Sequence, residues 1–151
     1  GPRRLISWGA ISMPESHLLC RAHFITGEEK YLRAVVLSTL PGAGANPVNM
    51  CFVTGLGSSW PQHPLHEDAY ITHQPLYEGI TVGGPQDPNV PNKQANYRRV
   101  APLLFPSPGA WPPAESYFDV WVYAPMNEYT VHQTMLPTSF VWGYLAARRQ
   151  E

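Results

Sequence analysis

Apolar residues recur at helical intervals near the start of the chain. Ser12 and Glu15 have the spacing of a capping box, with Pro14 in the first turn, where its missing N–H does no harm. The apolar positions that follow are Leu18, Ala22 and Ile25. This pattern predicts a first helix that ends at Gly27.

A second helix is predicted immediately afterwards. Thr26 and Glu29 repeat the capping spacing, and the Pro41-Gly42 dipeptide ends the periodic segment. Its apolar face consists of Tyr31, Leu32, Val35, Val36 and Leu40. The two helices are short and adjacent, so we expect them to form an αα-hairpin.

The helical pattern returns from Pro125 to the end of the chain. Its expected buried side consists of Val131, Met135, Phe140, Val141, Tyr144 and Leu145. Arg148 and Arg149 lie at the favourable C-terminal end of this helix. Pro137 is expected to kink or split it.

Proline and glycine dominate the middle of the chain. Fourteen of the 17 prolines and eight of the 12 glycines lie between Pro41 and Pro125, which argues against a mostly helical middle. Residues 82–85 (VGGP) are typical of a short strand that ends in a turn. We therefore expect an all-α protein whose long, ordered loops lie across the end of a helical scaffold and carry the function.

Composition narrows the choice of ligand. Lys plus Arg number 10 and Asp plus Glu number 11, so the net charge is −1, and this disfavours nucleic acid and anionic membrane surfaces as partners. Cys20 and Cys51 either pair or stay free, and their spacing matches no redox or zinc motif. Aromatic residues make up 12% of the chain, which suits packing and the stacking of a neutral, polyhydroxylated ligand.

Residues 60–68 form the densest polar cluster. His63 and His66 have a ligand-like gap that could hold zinc, but no third ligand has the usual spacing, and loop clusters of His, Glu67 and Asp68 are most often merely solvated. Sugar binding is favoured, because these side chains offer directional hydrogen bonds to hydroxyls while Trp60 offers a flat apolar face.

A second cluster spans residues 117–129 and contains a lone carboxylate, Glu128, beside Asn127. One interpretation is a first-turn glutamate that complements a helix dipole. The other is a general acid whose pKa is raised through burial by the neighbouring Met126, Trp121 or Tyr129.

Two loop residues have open interpretations. Trp111 lies next to Pro112-Pro113 and forms either a sugar-stacking platform or ordinary loop packing. Asp119 either holds the loop that precedes Glu128 or is exposed.

Several short motifs occur in the order seen at the C-terminal end of glycoside hydrolase family nine, which the chain resembles over about residues 8–147. They are residues 31–34 (YLRA), 44–47 (GANP), 52–57 (FVTGLG), 61–64 (PQHP), 83–85 (GGP) and 127–128 (NE). The resemblance implies a segment of an (α/α)6 barrel and inverting hydrolysis of β-linked glucan. It also implies that Glu128, in an Asn-Glu dipeptide that opens the last helix, is the catalytic acid.

The chain departs from the family's pattern in its histidine loop. Family members usually carry Pro-His-His-Arg, whereas this chain has Pro64-Leu65-His66-Glu67, so His66 carries over and the arginine does not. An acidic residue in place of the arginine favours hydroxyl donors or an amino sugar. Many members also have a tyrosine four residues before the glutamate, where this chain has Ala124 and, one position away, Tyr123.

The second carboxylate is also missing. Inverting hydrolysis needs two carboxyl groups roughly 6.5 to 9.5 Å apart. Asp68, Asp87 and Asp119 do not lie in the aspartate-pair motif that supplies the family's base. We therefore expect residues 1–151 to be the C-terminal part of one catalytic domain whose N-terminal part is not in this chain and would be its partner.

The sequence thus predicts a glycoside hydrolase that acts on β-linked gluco-oligosaccharides or β-1,4-glucan, without a metal or other cofactor, in a secreted or periplasmic setting. The expected catalytic residue is Glu128, and the expected substrate-binding residues are His66, Glu67, Asp68, His63, Trp60, Trp111, Asn127 and Tyr123. The alternatives are an exo-β-glucosidase, an exo-β-glucosaminidase, and a non-catalytic carbohydrate-binding or interaction fragment.

Overall fold

The computed structural model describes residues 16–86 and 95–148. The α-helices of this part are α1 (Ser16–Thr26), α2 (Glu29–Thr39), α3 (Glu67–Thr72), α4 (Ala95–Val100), α5 (Ala124–Asn127) and α6 (Leu136–Arg148). Short 3₁₀ turns cover Ala101–Leu103 and Pro108–Ala110, and a π turn covers Val131–Met135. The described residues contain no strand, and the all-α prediction is confirmed for them. None of these helices is long and apolar enough to cross a membrane.

Helices α1 and α2 form the predicted hairpin. Gly27 ends α1 with a left-handed φ of 69°, and its N–H donates to the His23 carbonyl at 2.8 Å. The predicted capping box at Thr26 is wrong, because Thr26 is the last residue of α1 and its hydroxyl donates to the Ala22 carbonyl. Glu28 precedes α2 instead, without a side-chain cap. The predicted start at Ser12 lies outside the described residues.

The helical core lies where α1, α2 and α6 meet. Cys20, Val35 and Val141 come from these three helices and are completely buried together. The His23 Nδ1 and Tyr144 hydroxyl atoms lie 2.7 Å apart and join α1 to α6. Both cysteines are free thiols, and burial raises the pKa of Cys20 and of Cys51.

Much of the apolar surface predicted to be buried is exposed. Val131 is 76% exposed, and the other predicted core positions that are exposed are Leu18, Ile25, Val36, Leu40 and Phe140. Three packed helices cover only one side of each apolar stripe, so the remainder of each stripe faces away from the core of the described residues.

The predicted C-terminal helix is interrupted. Helix α5 ends at Asn127, Glu128 is extended, and the chain then forms the π turn before α6 begins at Leu136. The interruption lies at residues 128–130 rather than at Pro137, so the prediction that Pro137 splits the helix is wrong. Pro137 is the second residue of α6, a position that tolerates its missing N–H.

The middle of the chain is held by backbone hydrogen bonds and a small apolar cluster. Thr54 N–H donates to the Ile80 carbonyl, and Val82 N–H donates to the Phe52 carbonyl. The predicted strand at residues 82–85 is wrong, since the pairing is limited to one isolated bridge between Val53 and Thr81. Phe52, Ile80 and Val82 are buried together beneath these loops.

Two adjacent valines of α2 test this packing. Val35 is completely buried, so Val35→Ala is expected to lower the free energy of unfolding by about 2 kcal/mol through lost contacts and a cavity. Val36→Ala removes the same atoms from a 42% exposed position and should cost less than about 0.5 kcal/mol. Urea unfolding of the chain measures both; equal losses would contradict the packing described.

Candidate active site

Asn127 organises the segment that carries Glu128. Its carboxamide nitrogen donates to the carbonyls of Phe118 at 2.8 Å, Val120 at 2.9 Å and Tyr123 at 3.2 Å. Its oxygen accepts from the Tyr117 hydroxyl at 2.7 Å. The side chain is completely buried. Asn127 was predicted to contact substrate, and the structure corrects this: its polar atoms are engaged by the protein, and it holds the loop.

Tyr117 supports this arrangement as a hydrogen-bond donor. Burial, together with the nearby negative charge of Asp119, raises the pKa of Tyr117 well above its ordinary value of 10.0. The hydroxyl therefore keeps its proton at physiological pH and continues to donate to Asn127.

Glu128 lies immediately after this anchored segment. Its backbone N–H donates to the Ala124 carbonyl at 2.7 Å, and its carbonyl accepts from Gly83 N–H at 3.1 Å. The Gly83 contact is close: a Cβ there would lie 2.7 Å from the Pro125 carbonyl oxygen. The backbone of Glu128 is therefore fixed by two hydrogen bonds, one to Ala124 in the preceding turn and one to Gly83 in a loop that is distant in sequence.

Two expectations about Glu128 are wrong. It does not open the last helix, because it follows α5 and precedes the π turn. Its side chain is exposed rather than buried, because Met126 and Asn127 take the buried positions of this short helix. Within the described residues, the neighbours do not supply the desolvation that the general-acid interpretation invoked.

The histidine loop is joined to the Glu128 segment. Leu65 N–H donates to the Asn127 carbonyl at 2.8 Å. The His66 ring stacks on Tyr129, with centroids 6.1 Å apart and an interplanar angle of 11°, and meets Tyr77 edge-on. The two parts of the predicted site, separated by about sixty residues in the chain, are therefore brought together.

His66 has a defined tautomer. Its Nδ1 accepts a hydrogen bond from Ala69 N–H at 3.0 Å and caps α3. In the neutral ring the proton therefore lies on Nε2, which is the nitrogen that can donate to a ligand. Burial raises the pKa of the neighbouring Tyr129, which keeps that hydroxyl protonated as well.

Asp119 holds the other end of the histidine loop. Its carboxylate accepts from Gln62 N–H at 2.7 Å and from His63 N–H at 2.9 Å. Of the two interpretations left open by the sequence, the structure favours a holding role, and the loop held is the one with the histidines.

A cavity of about 440 Å³ lies beside this loop. Its lining residues are Gln62, His63, Pro64, His66, Ala69, Tyr70, Ile71, His73, Gln74, Leu76 and Trp121. Within it, Tyr70 and Trp121 stack with centroids 4.3 Å apart. Sequence reasoning assigned no binding role to this pair. The spacing of His66, Tyr70 and His73, three or four residues apart around a short helix, is the signal that places them on one face.

Four other residues predicted to bind substrate lie outside this cavity lining. Glu67 and Asp68 are exposed in the first turn of α3. Trp60 is half-buried. Trp111 donates its indole N–H to the Pro106 carbonyl at 2.8 Å and meets Phe118 edge-on, which is loop packing rather than an open platform.

Tyr123 is also placed differently from expectation. It is only 3% exposed and packs with Phe118 and Met126 in an apolar cluster. The ring of Tyr123 is therefore part of the support under the Glu128 segment rather than a surface that a ligand reaches.

His63 and His66 were considered above as a zinc site. In residues 16–86 and 95–148, no group of three or more His, Cys, Asp or Glu side chains is arranged to hold a metal ion. His66 also uses Nδ1 to cap α3, which leaves it one nitrogen for any ligand.

Comparisons with known proteins point to one family. The sequence model of glycosyl hydrolase family 9 matches residues 8–136. The chain is 33% identical over 82 residues to a xyloglucan-specific endo-β-1,4-glucanase of Bacteroides ovatus, a match over 52% of this chain and 14% of that protein.

Solved structures agree in fold. A metagenome-derived glycoside hydrolase family 9 endoglucanase matches with a TM-score of 0.68 and 28% identity, over 93% of this chain and 23% of that one. The family 9 endoglucanase J30 matches with a TM-score of 0.67 and 26% identity, over 87% and 23%. The chain therefore spans about a quarter or less of its relatives, and its fold is a segment of their (α/α)6 barrel.

The raised pKa of Tyr117 predicts a pH dependence of stability. The native state retains the proton above pH 10, where the unfolded chain loses it, so stability is full below pH 10 and falls as the pH rises further. Above pH 10, the wild-type free energy of unfolding should fall by up to about 1.4 kcal/mol per pH unit more steeply than that of Tyr117→Phe. Urea titrations at several pH values measure this difference. Tyr77→Phe, at an exposed tyrosine, is the matched control, and identical slopes for wild type and Tyr117→Phe would contradict the assignment.

The Asp119 contacts predict local protection of two amides. Asp119→Ala removes the acceptor of the Gln62 and His63 N–H groups, so their hydrogen exchange should accelerate about tenfold to a hundredfold. Asp68→Ala, at an exposed aspartate, should leave these two amides unchanged. Amide exchange followed by NMR or mass spectrometry gives the rates, and unchanged exchange in Asp119→Ala would show that the carboxylate does not hold the loop.

Proposed function

Because the chain belongs to glycosyl hydrolase family 9, we propose that residues 1–151 are the C-terminal part of a catalytic domain that hydrolyses β-1,4-glucan or related gluco-oligosaccharides with inversion. The observation that carries the proposal is that both neighbours of Glu128 contact the histidine loop. The Asn127 carbonyl accepts from Leu65 N–H, and the Tyr129 ring stacks on His66. Its partners are the oligosaccharide and the N-terminal part of the same domain.

Glu128 is the proton donor in this mechanism. Its carboxyl proton passes to the glycosidic oxygen as the bond from that oxygen to the anomeric carbon breaks. A water molecule attacks the anomeric carbon from the opposite face and gives its proton to an aspartate on the N-terminal part. The donor must be protonated beforehand.

The surrounding residues position this step. Asn127 and Gly83 fix the backbone of Glu128, so the point from which its carboxyl side chain extends has a defined position. The Nε2–H group of His66 donates a hydrogen bond to a sugar hydroxyl near the cleaved bond, because its Nδ1 already accepts from Ala69 N–H. Asp119 holds the loop that carries His63 and His66.

The substrate class follows the relatives. The Bacteroides ovatus relative is named for xyloglucan, and the structural relatives are named endoglucanases, so a β-1,4-linked glucan backbone is the proposed substrate. Glu67 and Asp68 were the reason to consider an amino sugar, but neither lines the cavity, so a neutral sugar is favoured. We place its action outside the cytoplasm, in a secreted or periplasmic setting, on the family resemblance.

Glu128→Gln in the complete enzyme tests the acid. The amide cannot supply the proton, so kcat for an unactivated β-1,4-glucan should fall by about a hundredfold to ten-thousandfold while KM changes little. A substrate with an aryl leaving group of low pKa needs less protonation and should lose much less activity.

Glu115→Gln provides the control. Glu115 is an exposed glutamate in a loop away from the cavity lining, and this change should leave kcat unaltered. Near-normal turnover of unactivated glucan by Glu128→Gln would remove Glu128 from the acid role.

A further inference from the structure

The proposed mechanism uses only a part of the cavity beside α3. Of the residues that line it, the mechanism gives a role to His66, while the stacked pair Tyr70 and Trp121 has none. The volume of about 440 Å³ falls within the range of roughly 300–1,000 Å³ that is usual for small-ligand pockets. A cavity of this size next to the histidine loop is large enough to hold a sugar unit.

The stacked pair supplies a rigid aromatic surface. The rings of Tyr70 and Trp121 lie 4.3 Å apart at an interplanar angle of 25°, so each restricts the other's orientation. Tyr70 is nevertheless 52% exposed and Trp121 is half-buried. A flat ring that is fixed on one side and open on the other suits the apolar C–H face of a pyranose.

The remaining lining residues favour a ligand without charge. Gln62 and Gln74 offer amide donors and acceptors, and His63 and His73 offer imidazoles. Among the described residues, no Asp, Glu, Lys or Arg lines the cavity. Such a lining makes hydrogen bonds to hydroxyls and has no fixed charge to pair with an ammonium or carboxylate group.

The position of the cavity indicates which unit of the glucan chain it would bind. His66 lines it, and the His66 ring stacks on Tyr129, the residue after Glu128. An occupant is therefore separated from the Glu128 segment by one layer of side chains. This distance fits a unit of the same glucan chain close to the unit being cleaved.

We propose that Tyr70 and Trp121 form an aromatic platform that binds a neutral hexopyranosyl unit and selects neutral glucans over charged ones. The inference rests on the proposed function for the identity of the chain that carries this unit. Tyr70 and Trp121 are then specificity-determining residues that act in binding, whereas Glu128 acts in the chemical step.

Binding to the complete enzyme tests the platform. The probe is a sulfur-linked cello-oligosaccharide, which glycosidases do not cleave, measured by calorimetry. Tyr70→Ala and Trp121→Ala should each weaken binding about fivefold to tenfold, because the stacking surface is lost. Tyr70→Phe keeps the ring and should bind as wild type, whereas Tyr70→Leu keeps apolar bulk without a flat face and should weaken binding like alanine.

Kinetics on a natural glucan provide the matching readout. Tyr70→Ala should raise KM by a similar factor and leave kcat at saturation unchanged. Phe105→Ala removes an exposed aromatic that does not line the cavity and should alter neither constant. Thermal melting of each variant confirms that it is folded.

The wild-type enzyme supplies a second test that needs no variant. Neutral cello-oligosaccharides should bind at least tenfold more tightly than glucosamine or glucuronic acid oligosaccharides of equal length. Unaltered binding in Tyr70→Ala and Trp121→Ala, a loss in Tyr70→Phe as large as in Tyr70→Ala, or tighter binding of a charged sugar would each overturn the proposal. The two proposals fail separately, since loss of the platform affects binding and loss of the acid affects kcat.

Discussion

The buried carboxamide of Asn127 is the contact on which the rest of the site depends. Its nitrogen donates to three carbonyls among the preceding ten residues. These bonds fix the backbone conformation of a segment that has almost no regular secondary structure. The backbone carbonyl of Asn127 accepts from Leu65 N–H, and this bond, with the His66–Tyr129 stack, brings the histidine loop to the Glu128 segment. A buried amide with unsatisfied groups would cost several kcal/mol, roughly 1–3 for each group, so any path of the loop that breaks these bonds is disfavoured.

The helices α1, α2 and α6 are held together by apolar packing. Helices α1, α2 and α6 pack through Cys20, Val35 and Val141, and this packing leaves large apolar side chains such as Phe24 and Ile25 more than 70% exposed. The chain covers about 23% of the related structures. The exposed stripes are consistent with a chain that has the fold of only part of their helical barrel.

The site separates two tasks between two parts of the chain. The carboxyl of Glu128 lies on an extended residue clamped by Asn127 and Gly83, where small displacements are restricted. The cavity belongs instead to α3 and the histidine loop, which Asp119 and His66 hold by accepting backbone N–H groups. In the proposed mechanism, a change in the aromatic residues of the cavity therefore alters sugar binding without moving the residues that hold Glu128.

The sequence by itself determined helices α1 and α2, their αα-hairpin, a C-terminal helix and the family, because helical periodicity, Gly27 and the ordered short motifs are local signals. It also selected Glu128 and His66, whose segments the fold joins through the Leu65–Asn127 and His66–Tyr129 contacts. Only the tertiary structure decided that Asn127 and Tyr123 are buried supports, that Trp111 packs against Phe118, and that Tyr70 meets Trp121. Those outcomes depend on contacts between residues distant in sequence, and a residue's type does not reveal which of its neighbours in space will take its hydrogen bonds or cover its ring.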